Sequence, residues 1–245
     1  MILHLFPLIF WSIITTLVIT PITIRLAVHF RLIDHPNSSP HKIHRYPIPK
    51  ASGLAIGLVI VSLNLLSVNG GASTIRAILL SGIVIFIFGL WDDTRKLSPQ
   101  WKLVGQILAT AILISQGIYI RMLGSLMIPN IILTFLWVIG ITNAFNLVDS
   151  MDGLVVGLAA IASAFFMLVT VDAGQTSLSL LSAIILGSSI GMLYFNALPA
   201  RTFLGDSGAQ FLGFVLAALA IAYTPPTPSA FFMVCSDPSP QCPHF

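Results

Sequence analysis

Glutamate is absent from the 245 residues, and charge of either sign is scarce: eight aspartates and 11 lysines and arginines make up 8% of the chain. An ordinary soluble domain carries about a quarter of its residues as Asp, Glu, Lys or Arg. A solvated surface on all sides is therefore excluded. Cysteine is nearly missing too: Cys235 and Cys242 stand alone near the end of the chain, and that pair says little about redox compartment. No run of basic residues is long enough to suggest nucleic-acid binding, despite a net charge of +3.

What is present is apolar sequence: 56% of the residues are hydrophobic, with a mean hydropathy of +0.98. This is the composition of an integral membrane protein, whose core is built by helix packing in lipid. The predicted class is an all-α, polytopic membrane bundle. Apolar runs at about 1–28, 51–68, 75–91, 101–120, 126–143, 153–171, 177–195 and 208–224 are each about long enough to cross roughly 30 Å of hydrocarbon as a helix. The expected count is eight spans in one domain, 1–224. The first run has no basic segment before it and no small-residue cleavage site, so it is read as a span and not as a cleaved signal peptide. Beyond it, 225–245 is rich in Pro and Ser and is expected to be an irregular tail.

Numbering the loops between these runs separates the charges. Those after spans one, three, five and seven hold Arg31, Lys42, Arg45, Lys50, Arg95, Lys96, Lys102 and Arg201, whereas the even loops hold Arg76 and Arg121. By the positive-inside rule the odd loops face the cytoplasm and the N-terminus lies outside. Five of the eight aspartates, Asp92, Asp93, Asp149, Asp152 and Asp206, fall at the same odd loops. Alternation alone brings them to one face.

Asp92 and Asp93 end one apolar run just before another begins. Adjacent carboxylates at the edge of hydrocarbon repel each other and lose hydration, which calls for a cation nearby. They are candidates for binding a divalent ion or accepting a proton, with Lys96 and Lys102 as charges for a phosphate. The plainer reading is that they anchor a span at the interface. Residues 143–154 place Asn143, Asn146, Asp149 and Asp152 at intervals of three, along one side of a helix or tight turn. An N-cap role would account for Asp152 and leave the two amides without a reason. In 196–209, Gly205 and Gly208 flank Asp206 at a helix start, where backbone N–H groups favour anions. Arg201 adds a charge there and Phe203 a ring for stacking on a base. The first loop carries His41 and His44, but with no cysteine or third histidine beside them a metal site is disfavoured.

Taken together, these segments resemble the polyprenyl-phosphate N-acetylhexosamine-1-phosphate transferase family over nearly the whole chain to about Tyr223. Asp92-Asp93 is similar to the family's aspartate pair, 143–154 to its Asn-rich Asp-Gly segment, and 196–208 to its Asn-Pro-Ala-Phe-Met-Gly-Asp segment. The first loop, 41–50, is more similar to the branch that uses UDP-GlcNAc than to the branch that uses UDP-MurNAc-pentapeptide. The resemblance implies Mg2+-dependent attack (Mn2+ serving in its place) by undecaprenyl phosphate on the β-phosphorus of a UDP-N-acetylhexosamine, with release of UMP. It implies Asp206 as a metal ligand with Asp93 on the metal side, and Asp92 acting on the lipid phosphate. Asp152 joins the aspartate pair as a catalytic candidate, Asn146 and Asp149 contact the nucleotide, and Phe203 stacks on uracil. Asn196 and Lys102 contact phosphate or lipid, with Asn143 and Arg201 as further substrate-binding candidates.

The implied setting is the bacterial inner membrane, with the site facing the cytoplasm and a homodimer compatible with it. Ser150 stands where the family commonly has Gly, and Ala209 where a Ser is usual. Family members usually continue into further spans and a late histidine-rich loop, so the chain is expected to be C-terminally truncated, with an inactive remnant as one alternative. A cation-coupled transporter is another, and it would place its carboxylates within spans or on both faces.

Overall fold

A computed structural model of the chain describes residues 2–34, 47–67, 73–124 and 126–223. Among these, eight α-helices follow one another: α1 Phe6–His29, α2 Ser52–Ser67, α3 Ser73–Arg95, α4 Pro99–Ser115, α5 Met127–Val148, α6 Leu154–Asp172, α7 Thr176–Asn196 and α8 Gly205–Ala222. Every predicted apolar run forms a helix. Six of them are long and apolar enough to cross a membrane, while α2 and α4, with 16 and 17 residues, are shorter. Eight helices are therefore present, but eight spans are not confirmed. The expected tail and the first-loop histidines His41 and His44 lie outside the described residues.

Two short strands, β1 Ile33–Asp34 and β2 Ile48–Pro49, pair antiparallel between α1 and α2. Local sequence explains several helix boundaries. Pro99 opens α4 behind Ser98, where a missing N–H costs nothing, and Gly153 and Gly174, both at positive φ, close the turns before α6 and after it.

The helices sort by burial. α8 is the axis of the bundle, packed by α2, α3, α5 and α6, and 89% of its apolar window is buried against 17% for α5 on the outside. Large apolar side chains such as Ile128, Leu136, Ile161, Phe165 and Leu80 stay exposed on outer faces, far more than a water-soluble monomer leaves uncovered. That surface suits lipid.

Between α1 and α7 the contact is made by small residues. Gly187 lies so close to α1 that a Cβ there would stand 2.5 Å from the Ile9 carbonyl oxygen, and one at Gly191 would stand 3.0 Å from that of Ile13. Facing them, Ser12, Thr16, Thr20 and Thr23 are buried, and each hydroxyl donates to a carbonyl three or four residues back in its own helix. Polar atoms are thereby satisfied within one helix, and the backbones can approach closely, as in membrane packing generally.

Gly187→Ala should lower the apparent melting temperature of the detergent-solubilised protein, as expected from an overpacking cost of about 1–3 kcal/mol. Gly140→Ala, at a helical glycine with no atom near its would-be Cβ, should leave it unchanged or raise it, since Ala is the better helix former by about 1 kcal/mol. Equal effects in a thermal scan would refute the close α1–α7 contact.

Candidate active site

The charged site gathers at one end of the bundle, where α3, α5 and α7 end and α2, α4, α6 and α8 begin. Successive helices run in opposite directions, so the odd connections share that end. Backbone bonds then tie the connections to one another. The Phe203 N–H donates to the Pro49 carbonyl (3.0 Å), while Ser52 and Gly53 at the start of α2 donate to the Phe203 and Leu204 carbonyls (3.2 and 3.0 Å). Thr202 Oγ1 bonds the Pro49 carbonyl at 2.8 Å and accepts from the Ala51 N–H.

Asp93, at the end of α3, is directed at the first turn of α8. Its Oδ1 accepts from the Asp206 N–H (3.0 Å) and from Lys50 Nζ (3.2 Å), and its Oδ2 from the Ser207 N–H (3.0 Å) and Oγ (2.7 Å). Close approach makes this geometry available: a Cβ at Gly89 would stand 2.5 Å from the Ser207 Cα. Gly205, at φ +72°, turns the chain into α8 just where a side chain would strike the Asp93 carboxylate.

Asp92 faces another way. One of its oxygens accepts from the Leu97 N–H and the other from Lys102 Nζ at 2.6 Å. Lys102 Nζ also donates to Asp206 Oδ1 at 2.9 Å, so one ammonium bridges two carboxylates that themselves approach within hydrogen-bonding reach. One turn along α4 and α8 from this bridge lies an amide cluster. Gln106 and Asn143 exchange two hydrogen bonds (3.0 and 2.9 Å), and Gln106 also donates to Gln210 at 3.3 Å.

Asp149 follows the last residue of α5 and lies close to the Gly205 N–H at the start of α8. Burial first, then the charges of Asp206 and Asp93, push its carboxyl well above the usual carboxylate range, against the opposing pull of Lys50. For Lys50, burial works against the ammonium, but the Asp93 and Asp206 carboxylates outweigh it and hold the pKa above its ordinary value.

The remaining predicted residues border this cluster. Asp152 does not cap α6, whose N-cap is Gly153 without a side-chain bond; instead its carboxylate accepts from the Ala200 N–H at 3.1 Å. Asn196, buried, donates to the Thr202 carbonyl and accepts from the Gly153 N–H. Arg201 lies over the Tyr194 ring, 5.0 Å from its centroid, and Asn146 stands half-buried in the last turn of α5.

Lys50, Ser207, Gln106 and Gln210 were not among the expected site residues. The two glutamines were discoverable as isolated amides within apolar runs, which in a membrane need a partner. Nothing local marked Lys50 or Ser207 for Asp93.

Four carboxylates thus meet two ammonium groups and one helix N-terminus. Hard oxygen donors and surplus negative charge suit a divalent cation such as Mg2+. Among the described residues, however, no three His, Cys, Asp or Glu side chains converge closely enough to hold an ion by themselves. A cation would take one or two carboxylates here and complete its shell with phosphate oxygens and water, as Mg2+ commonly does. Asp206 is the most accessible of the three carboxylates that meet the ammonium groups: its side chain is 22% exposed, against 5% for Asp92 and 2% for Asp93.

A family model described as glycosyl transferase family 4 matches residues 75–224, more than half of the chain. The chain belongs to that family. The matched stretch carries every predicted site residue and leaves out Lys50. Among curated family relatives, the chain is 32% identical over 221 residues to a probable undecaprenyl-phosphate N-acetylglucosaminyl 1-phosphate transferase of Bacillus subtilis, covering 86% of this chain and 60% of the relative. It is 30% identical over 219 residues to a decaprenyl-phosphate N-acetylglucosaminephosphotransferase of Mycolicibacterium smegmatis, covering 79% and 53%. A phospho-N-acetylmuramoyl-pentapeptide-transferase of Levilactobacillus brevis matches at 36% over 163 residues, 57% and 50%. The chain spans between half and three-fifths of the length of these relatives.

Because Asp149 holds its proton to higher pH in the fold than in the unfolded chain, its ionisation destabilises the fold as pH rises from the ordinary Asp range through the raised value. Asp149→Asn should therefore raise the melting temperature at about pH 8 and leave it unchanged near about pH 4, where the carboxyl is already protonated in the fold. An unchanged melting temperature at the higher pH would contradict the assignment.

Proposed function

We propose that this chain transfers an N-acetylhexosamine-1-phosphate, with GlcNAc-1-phosphate as the favoured group, from a UDP-sugar to undecaprenyl phosphate, releasing UMP. The observation that carries this reading is the Lys102 ammonium bridging Asp92 and Asp206. It lies within a surplus of carboxylates at one end of a membrane bundle. Acceptor and donor are both anionic phosphates, one on a lipid and one on a soluble nucleotide, so they must meet at such an edge. Polyprenyl phosphate and N-acetylglucosamine phosphate are also what the relatives are named for.

In the reaction, an oxygen of the lipid phosphate forms a bond to the β-phosphorus, and the bond from that phosphorus to the bridging oxygen breaks. UMP leaves with that oxygen. Charge spreads over phosphoryl oxygens in the transition state, so fixed positive charge supplies most of the stabilisation. Bound Mg2+ would add charge neutralisation at the diphosphate, with Asp206 as its ligand. Asp92 sits beside Lys102, where it can orient the acceptor phosphate or take its proton. Lys102 is placed to exchange its two carboxylates for phosphate oxygens. Asn146 and Asp149 are assigned to the nucleotide, and Phe203 to stacking on the uracil.

The gathering of carboxylates at one end, and not along a path through the bundle, favours group transfer over ion passage. We place the charged end at the cytoplasmic face of the bacterial inner membrane, from the excess of Lys and Arg in the odd loops.

Purified chain in detergent, given UDP-GlcNAc, undecaprenyl phosphate and Mg2+, should release UMP only when the lipid is present. Asp92→Asn and Asp206→Asn should each reduce the rate by about a hundredfold or more, the scale of losing one electrostatic element of such a site. A variant that keeps wild-type turnover would remove its residue from the mechanism, and lipid-independent release would overturn the acceptor assignment.

A further inference from the structure

The adjacent aspartates do different work. A carboxylate offers about four lone-pair directions, and Asp93 receives four donors, the Asp206 N–H, the Ser207 N–H and Oγ, and Lys50 Nζ, while only 2% exposed. It has little capacity left for an ion or a substrate. The donors themselves say what it does. The first N–H groups of a helix have no partner within it, and the residue preceding α8, Leu204, has no side chain able to cap them. Asp93 supplies that cap from α3, 113 residues away in sequence, and at the helix end where the dipole favours an anion.

We propose that Asp93 is a positioning residue: it caps α8 from outside the helix and so fixes where the Asp206 side chain projects, while Asp92 alone of the pair faces the reacting groups. The clause about reacting groups rests on the transfer reading above; the cap does not. Lys50 extends the device to the first loop. Its ammonium on Asp93, together with its own N–H on the Leu32 carbonyl, ties the segment before α2 to the same carboxylate.

Hydrogen–deuterium exchange of the full chain in detergent tests the cap without any turnover. In Asp93→Ala, the amides of residues 205–208 should exchange about tenfold faster, the scale expected for losing a helix cap, with the rest of α8 still protected. Asp92→Ala should leave those amides at wild-type rates. Should Asp93→Ala lose protection everywhere, Asp93→Asn decides, with the same local change expected. Wild-type exchange in the first turn of the folded variant would overturn the proposal.

A second arm separates positioning from metal binding. With Asp93→Asn, half-maximal UMP release should need more Mg2+, and saturating Mg2+ should restore the rate; with Asp206→Asn it should not. A loss in Asp93→Asn that Mg2+ cannot restore would return Asp93 to the ligands and overturn the proposal. If wild-type chain releases no UMP, the transfer reading fails, and the exchange result decides the cap by itself.

Discussion

The bond between the Asp93 carboxylate and the first turn of α8 is the constraint on which the charged end depends. It joins the end of α3 to the start of the most buried helix and takes up N–H groups that would otherwise be unpaired at a membrane edge. With α8 held in this way, Asp206 meets Lys102, and Lys102 meets Asp92. Removing the cap would loosen the first turn of α8, and with it the placement of Asp206.

Why so many carboxylates are tolerated at the edge of hydrocarbon follows from the same arrangement. An isolated charge at the centre of a bilayer costs about 3 kcal/mol on insertion scales. Here Asp92, Asp93 and Asp206 each meet an ammonium, and Asp93 also accepts from two backbone N–H groups and a hydroxyl. The compensation is incomplete in net charge; burial first, and then the charges of Asp206 and Asp93, raise the pKa of Asp149. A site whose own side chains carry a surplus of negative charge is suited to a divalent cation.

Much of this was legible from residue order. Long apolar runs located all eight helices, because length and hydropathy decide helices in lipid. Alternation of direction placed Asp92, Asp93, Asp149, Asp152 and Asp206 at one end, because antiparallel neighbours return to the same side. Their division of labour was not legible. Successive helical residues point about 100° apart, so Asp92 and Asp93 project in different directions, but which of them meets the backbone of α8 depends on a packing contact at Gly89 that only the fold reveals. The spacing puts Asn143 on one side with Asn146, Asp149 and Asp152, but its exchange of hydrogen bonds with Gln106 depends on two helices distant in sequence. Nor could hydropathy tell that α4 would be shorter than a full crossing, since its apolar run extends past the point where the helix ends.

The account stands most directly on whether the charged end takes a divalent cation through Asp206. Mn2+ can replace Mg2+ as a probe, titrated into the purified chain in detergent with UMP present while the free-ion signal is followed by electron paramagnetic resonance. The account predicts saturation at about one ion per chain, with oxygen ligands completing the shell, and loss of that binding in Asp206→Asn. Binding that survives Asp206→Asn unchanged, or that is absent from folded wild-type chain, would contradict it.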